Sequence, residues 1–141
     1  MTDMEWVNDD GGRSASGYKG SAGDCVSRSI AIASGLPYSE VYKVLASGTG
    51  AQRAGKRGKR PASARSGIDT KRQWFKDYMA SIGFKWTPTM QIGQGCKVHL
   101  RADELPAGRL VVACSGHYTA VIDGMIHDTN DPSRDGMRCV Y

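Results

Sequence analysis

The sequence contains no apolar run long enough to cross a membrane. Its longest uncharged apolar segment, Leu110 to Ile122, has thirteen residues, whereas a membrane-spanning helix needs about twenty. The first ten residues, MTDMEWVNDD, lack the basic patch and following apolar stretch that mark a secretory signal. We therefore expect a cytoplasmic protein that does not have a membrane among its partners.

Closely spaced metal ligands are also missing. The four cysteines, Cys25, Cys96, Cys114 and Cys139, form no Cys-x-x-Cys pair, and such pairs are typical of zinc sites. His99 follows Cys96 closely, but on a strand these two side chains would point to opposite faces. The sequence therefore predicts free thiols, no metal site and no cofactor.

Acidic residues are absent from the segment 47–67, which carries six basic residues. Since the chain has 19 basic and 14 acidic residues, this segment accounts for the whole net charge of +5. Its glycine, alanine and serine content predicts a flexible basic loop. Most loops of this kind are solvated, but this one could also hold nucleic acid or an acidic protein. The six basic residues are Arg53, Lys56, Arg57, Lys59, Arg60 and Arg65.

The composition fits one domain over residues 1–141, with 40% apolar and 23% charged residues. The spacing of apolar residues and the position of helix-ending glycines predict three helices in the first half. The first runs from Cys25 to Gly35, the second follows Pro37 with Ser39 as its cap, and the third starts at the capping-box pattern Thr70-Lys71-Arg72-Gln73 and ends at Gly83.

The second half of the sequence changes to the shorter period of strands. Helices followed by consecutive strands predict an α+β fold, with N-terminal helices packed on a C-terminal antiparallel sheet. The predicted strands are Lys97–Leu100, Arg109–Ala113, His117–Ile122, Met125–Thr129 and Met137–Tyr141.

Cys25 follows Gly23 and Asp24 at the predicted start of the first helix. At a helix N-terminus, unpaired backbone N–H groups and the helix dipole favour negative charge. Such an environment lowers the pKa of a thiol from about 8.5 towards about 3.5–7.5 and generates a nucleophilic thiolate near neutral pH. Cys25 is therefore the predicted nucleophile.

An Asp-Gly dipeptide at 123–124, between two apolar strands, predicts a two-residue hairpin turn. The resulting register places His117 opposite Asn130, with Asp128 one diagonal step away on the same face. An imidazole held by a carboxylate or an amide is the orienting half of a nucleophile–base–orienter triad. We expect Cys25, His117 and Asp128 to form this triad, with Asn130 as the alternative orienting residue.

This arrangement resembles the papain-like cysteine peptidase superfamily, including its compact peptidases that cut double-glycine leader peptides. The matching residues are Gly23-Asp24-Cys25 and a histidine followed by a hydrophobic strand and an acid, here 117–122 and Asp128. The resemblance implies a papain-like α+β domain and a thiol hydrolase that acts on a peptide or protein substrate.

The sequence departs from this superfamily at the oxyanion-binding position. Its peptidases usually carry a Gln or Asn a few residues before the cysteine, whereas residues 17–22 read GYKGSA. Lys19 or Ser21 could donate instead, or the backbone N–H of Cys25 could act with a further donor. Loss of one oxyanion donor costs about 10²–10³ in rate, so the activity depends on which group serves as the donor.

Two functions of different classes are compatible with these patterns. The first is a thiol hydrolase that cleaves a peptide, isopeptide or related amide bond. The second is a non-catalytic binding module that uses the basic loop to hold nucleic acid or an acidic protein. The aromatic residues in and after the third predicted helix are expected in the core or a cleft wall rather than as base-stacking platforms, which disfavours nucleic acid. These residues are Trp74, Phe75, Tyr78 and Trp86.

Overall fold

The structure, a computed structural model, describes residues 5–12, 24–51, 70–87, 97–114, 117–129, 132–133 and 139–140. Within these ranges it has three helices and six strands in an α+β arrangement. In chain order the elements are β1 (Glu5–Asn8), α1 (Cys25–Ser34), α2 (Tyr38–Ala51), α3 (Gln73–Ser81), β2 (Val98–His99), β3 (Arg109–Cys114), β4 (His117–Ile122), β5 (Met125–Asp128) and β6 (Cys139–Val140).

The six strands form one mixed sheet with the order β1-β5-β4-β3-β6-β2. Strand β1 pairs with β5 in parallel, whereas the other pairs among the described strands are antiparallel. The prediction of an antiparallel sheet built only from the C-terminal half is therefore wrong. Strand β1 is exposed at all four positions, so it lacks the alternation of apolar and polar residues by which a strand is recognised.

The hairpin of β4 and β5 has the predicted register, because Ile122 pairs with Met125. Both turn residues have left-handed backbone angles, with φ of 48° at Asp123 and 82° at Gly124, as a two-residue hairpin turn requires. The Asp123 carboxylate also accepts a hydrogen bond from the backbone N–H of Gly108 at 2.8 Å. This turn fixes which residue of β5 lies beside the start of β4.

Helix α1 packs against β3, β4 and β5 on one side and against α2 on another, and α2 in turn contacts α3. Helix α1 ends at Gly35, as predicted, where φ is 77° and the backbone N–H bonds to the carbonyl of Ala31. Its apolar side faces a cluster shared with α2 and α3. The buried members of this cluster are Val26, Ile30, Ala31, Tyr38, Val41, Leu45 and Phe75.

A second apolar cluster consists of strand residues and the segment before β3. Its buried members are Leu100, Val112, Cys114, Val121, Ile126 and Val140. A third, smaller cluster joins Ala120 of β4 to Ile32 and Ala33 of α1, so the sheet contributes to several parts of the core. In the part of the chain that the structure describes, none of the helices combines the length and apolarity required to cross a membrane.

Helix α2 differs from its prediction at both ends. The carbonyl of Pro37 accepts hydrogen bonds from the N–H groups of Glu40 and Val41, so Ser39 lies inside the helix and is not its cap. The helix continues to Ala51, so residues 47–51 of the predicted basic loop are helical. The remainder of that segment, 52–67, lies outside the described residues.

The continuation of α2 depends on its packing against α3. A Cβ atom added at Gly48 would lie 2.4 Å from Cε3 of Trp74, so only glycine allows this close approach. Such a contact between distant residues overrides the low intrinsic helix propensity of the Gly-Thr-Gly sequence.

Helix α3 begins at Gln73, and its N-cap residue Arg72 makes no side-chain capping bond. The predicted capping box is therefore wrong: the hydroxyl of Thr70 instead accepts a hydrogen bond from the Tyr118 hydroxyl at 2.8 Å. Phe75 is buried as expected, but Trp86 is 67% exposed, which contradicts its predicted place in the core or a cleft wall.

Candidate active site

Cys25 is the first residue of helix α1, and its side chain is partly exposed. Asp24 precedes it as the N-cap residue, and the carbonyl of Asp24 accepts the first helical hydrogen bond from the N–H of Arg28 at 3.0 Å. The backbone N–H groups of a first helical turn have no partner within the helix. The thiol therefore lies where negative charge is favoured.

His117 begins β4, against which helix α1 packs. The His117 ring is hydrogen-bonded to the Cys25 thiol, and the backbone of Tyr118 also bonds to this thiol. The strand pairing of His117 with Cys114 fixes the backbone at this point. Consecutive residues of one strand thus contact the predicted nucleophile through a side chain and through the backbone.

Asp128 ends β5 and completes the row of polar groups. Its Oδ2 lies 2.7 Å from Nε2 of His117 and accepts a hydrogen bond from the Thr119 hydroxyl at 2.8 Å. Its Oδ1 accepts a hydrogen bond from the backbone N–H of Thr129 at 2.7 Å. Since Nε2 of His117 is taken by Asp128, Nδ1 is the ring nitrogen left for Cys25.

The surroundings of Cys25 favour its ionised form. Burial raises the pKa of the thiol, whereas the hydrogen bonds from His117 and the Tyr118 backbone lower it. The positive charges of His117 and Arg28 act in the same direction. The resulting pKa of Cys25 lies below its ordinary value, as a nucleophilic thiol requires.

The pKa values of His117 and Asp128 are shifted so that each residue favours its charged form. The hydrogen bond to Asp128, followed by the one to Cys25, raises the pKa of His117 to about 9. Burial raises the pKa of Asp128, but hydrogen bonds from His117, Thr119 and the Thr129 backbone, together with the charge of His117, lower it overall. Near neutral pH, His117 is therefore a cation between two groups that favour their anionic forms.

A buried polar network behind Cys25 was not expected from the sequence. Asp24, which is 1% exposed, accepts hydrogen bonds from Arg28 at 2.6 Å and from the Tyr38 hydroxyl at 2.5 Å. Nη2 of Arg28 also lies 3.8 Å from Oδ1 of Asp128. The spacing of an acid and a base four residues apart on one helix is the sequence signal that could have indicated the pair of Asp24 and Arg28.

The N-terminal segment supports the same end of the site. The backbone carbonyl of Asp128 accepts hydrogen bonds from Nε1 of Trp6 at 3.0 Å and from the N–H of Asp9 at 2.9 Å. The Asp9 carboxylate lies 3.6 Å from Nδ1 of His127. Strand β1 and the residue after it thus hold the backbone of Asp128, the predicted orienting residue, and no local sequence pattern predicts these contacts.

The structure brings together the three residues of the predicted triad, Cys25, His117 and Asp128. The alternative orienting residue Asn130 and the alternative oxyanion donors Lys19 and Ser21 lie outside the described residues. The part of the basic loop on which the binding-module alternative depends also lies outside them.

The cysteines do not all have the predicted state. Cys25 and Cys114 are free thiols, whereas Cys139 is disulfide-bonded, so the prediction of free thiols is wrong for this residue. Cys139 lies in β6 opposite His99 of β2, and sequence spacing could not predict this pairing of distant segments.

Among the described residues, no group of three or more His, Cys, Asp or Glu side chains is arranged to hold a metal ion. Comparisons of the chain with protein-family models, with curated proteins and with solved structures find no match.

Proposed function

We propose that this protein is a papain-like thiol hydrolase that cleaves a peptide, isopeptide or related amide bond in a peptide or protein substrate. The observation that carries the proposal is the line of hydrogen bonds from Cys25 through His117 to Asp128, with 2.7 Å between the imidazole and the carboxylate. This line has the nucleophile, base and orienting group in the order that nucleophilic catalysis requires.

In the first half of the reaction, the Cys25 thiolate attacks the substrate carbonyl and forms a tetrahedral intermediate. His117, cationic because its pKa is about 9, donates its Nδ1 proton to the leaving amine. The C–N bond then breaks, the amine product leaves and the acyl group remains on Cys25 as a thioester.

In the second half, His117 is neutral at Nδ1 and accepts a proton from a water molecule. The hydroxide attacks the thioester carbonyl, the C–S bond breaks, and the acyl group leaves as a carboxylic acid that releases its proton to the solvent. The imidazolium and thiolate are restored. Asp128 holds the Nε2–H of His117 throughout and stabilises the imidazolium, as the orienting acid of a triad does.

Because Cys25 is the first residue of α1, its backbone N–H can donate a hydrogen bond to the oxyanion of the tetrahedral intermediate. This N–H belongs to the first helical turn and has no helical partner. A substrate oxygen that becomes negatively charged there is also favoured by the helix dipole. The proposal therefore assigns one oxyanion donor to the main chain.

The proposal is tested by peptide probes that carry a carbon electrophile in place of the scissile bond. A panel of such probes with different residues before the electrophile is incubated with the protein, and adducts are mapped by mass spectrometry. We expect a subset of the probes to label Cys25 selectively, and the residues of the best probe then define a fluorogenic peptide substrate.

Three variants control this experiment. Cys25→Ala should not be labelled or turn over substrate, and His117→Ala should be labelled far more slowly. Cys114→Ala should label like the wild type, because the Cys114 thiol is only 4% exposed and lies in the core. Labelling of Cys25 that is indifferent to the probe sequence and to His117→Ala would contradict the proposal.

A further inference from the structure

Arg28 occupies a position between two buried carboxylates. Its Nη1 lies 2.6 Å from Oδ1 of Asp24, and its Nη2 lies 3.8 Å from Oδ1 of Asp128. Its side chain is 13% exposed, while those of the two acids are 0% and 3% exposed. One guanidinium thus joins the residue before Cys25 to the residue that orients His117.

We propose that Arg28 is a positioning residue of the thiol site, which ties the N-terminus of α1 to the end of β5 and supplies a permanent positive charge beside the Cys25 thiolate. This inference rests on the proposed function. It adds a residue that takes no direct part in the reaction described above. Arg28 contacts Asp24 and Asp128, and it acts on the site through these contacts and through its charge.

The geometry explains why arginine is suited to this position. A guanidinium is planar and has several N–H donors, so it can contact two acids at once, whereas a lysine ammonium is a compact point charge. A guanidinium is also effectively always protonated in proteins. Without it, the buried carboxylates of Asp24 and Asp128 would lose a shared cation, and uncompensated buried charge is costly.

Other titratable groups face the thiol region from neighbouring elements. They are His117 and Tyr118 of β4, His127 and Asp128 of β5, Asp9 after β1, Tyr38 of α2 and the N-cap residue Asp24. Each of these groups is either an acid or a base that titrates. Arg28 is the fixed cation of the set, and its charge lowers the pKa of Cys25.

The test compares Arg28→Gln and Arg28→Lys with a matched control at the other end of the same helix. Arg109 donates hydrogen bonds to the carbonyls of Ile32 and Ala33 at 3.2 and 3.4 Å, so Arg109→Gln also removes a guanidinium that holds α1. For each protein, the rate of Cys25 alkylation by iodoacetamide is measured against pH, and thermal unfolding is recorded in parallel.

We expect Arg28→Gln to raise the midpoint of the alkylation profile by about one pH unit, because an opposite charge near the thiol is lost. Arg28→Lys should keep the wild-type midpoint but react more slowly with the peptide probe, because lysine cannot bridge both acids. Arg109→Gln should lower the unfolding temperature and leave the midpoint unchanged.

Two results would overturn the inference. The first is an Arg28→Gln protein that is less stable but keeps the wild-type midpoint, since Arg28 would then be structural only. The second, available even if Arg28→Gln does not fold, is an Arg28→Lys protein that matches the wild type in both midpoint and probe labelling. A wild-type profile with the midpoint of an ordinary thiol would instead refute the proposed function itself, whatever the Arg28 variants do.

Discussion

The two ends of helix α1 are held to the sheet by different kinds of contact. At the N-terminal end, Arg28 contacts the buried carboxylates of Asp24 and Asp128 at 2.6 and 3.8 Å. At the C-terminal end, Ile32 and Ala33 pack in an apolar cluster on the sheet. The helix therefore has a charged end, with buried ionised groups, beside the thiol, whereas its other end combines apolar packing with hydrogen bonds from the exposed Arg109 side chain.

This difference separates the parts of the molecule that we assign to chemistry and to stability. Burying charged groups is costly unless they are paired, and a buried ion pair adds little net stability compared with apolar packing. Apolar burial contributes about 25 cal/mol per Å² and serves stability directly. The buried charges lie at one end only, and they are thus better explained by the ionisation of Cys25 and His117 than by the needs of folding.

The largest effect is expected from Asp128→Asn at the charged end. The amide keeps the size of the side chain but cannot stabilise the His117 imidazolium, so turnover should fall by about 10²–10⁴. Loss of the orienting carboxylate of a serine-protease triad, which costs about 10⁴, sets this scale. Turnover is measured with the fluorogenic peptide that the probe panel defines.

The companion variant Asn130→Ala should lower turnover by less than about tenfold, as expected for one neutral hydrogen bond. If Asn130→Ala causes the larger loss, Asn130 and not Asp128 orients the imidazole. If neither variant loses activity, the hairpin does not supply the orienting group.

The parts of the site that follow local rules could be predicted from the sequence. The start of α1 at Cys25 and its end at Gly35 depend on neighbouring residues, and the hairpin register depends on the two turn residues. Together they place Cys25, His117 and Asp128 on the correct elements. The contact of His117 with the diagonal residue Asp128 agrees with the twist of paired strands.

The remainder depends on contacts between distant parts of the chain. Strand β1 pairs with β5 across most of the sequence, and Arg28 meets Asp128 only once α1 has packed on the sheet. The Thr70 hydroxyl accepts a hydrogen bond from Tyr118 instead of capping a helix. In each case tertiary contacts decide the structure, and neither periodicity nor capping patterns carry information about them.

A second prediction concerns the pH dependence of the stability that His117 contributes at the charged end of α1. The pKa of His117 is raised from its ordinary 6.5 to about 9, so His117 contributes stability that is complete below pH 6.5 and lost as pH rises through 9. The difference in unfolding free energy between the wild type and His117→Gln should therefore shrink over this range, as measured by urea unfolding at several pH values.

Cys25 has the opposite pH dependence. Because its pKa is lowered in the folded state, its contribution to stability is present at high pH and is lost on acidification. Cys25→Ser removes this contribution and serves as the control. A difference between wild type and His117→Gln that is flat from pH 6.5 to 9 would show that the charged end lacks the thiolate–imidazolium pair.

The smallest effects are expected from a matched pair of glycine variants. Gly11 and Gly35 both have left-handed backbones, with φ of 69° and 77°, and an alanine in this conformation costs about 1–2 kcal/mol. A Cβ at Gly11 would lie 3.0 Å from the carbonyl oxygen of Arg28, whereas a Cβ at Gly35 would meet no atom within 4 Å.

Both variants should lose unfolding free energy, as measured by urea unfolding, and Gly11→Ala should lose more because its Cβ also crowds the Arg28 backbone. Gly11→Ala should in addition slow the alkylation of Cys25, because it displaces the helix at Arg28. Equal alkylation rates in the two variants would show that the N-terminal segment does not support the charged end.

The central claim is that Cys25 is a thiolate paired with the His117 imidazolium. It is tested most directly by the rate of Cys25 carboxymethylation against pH in the folded wild type, in folded His117→Ala and in the urea-unfolded wild type. We predict a midpoint in the folded wild type well below that of the unfolded chain, and a shift back towards the unfolded value in His117→Ala. Coincident midpoints in all three samples would contradict the claim.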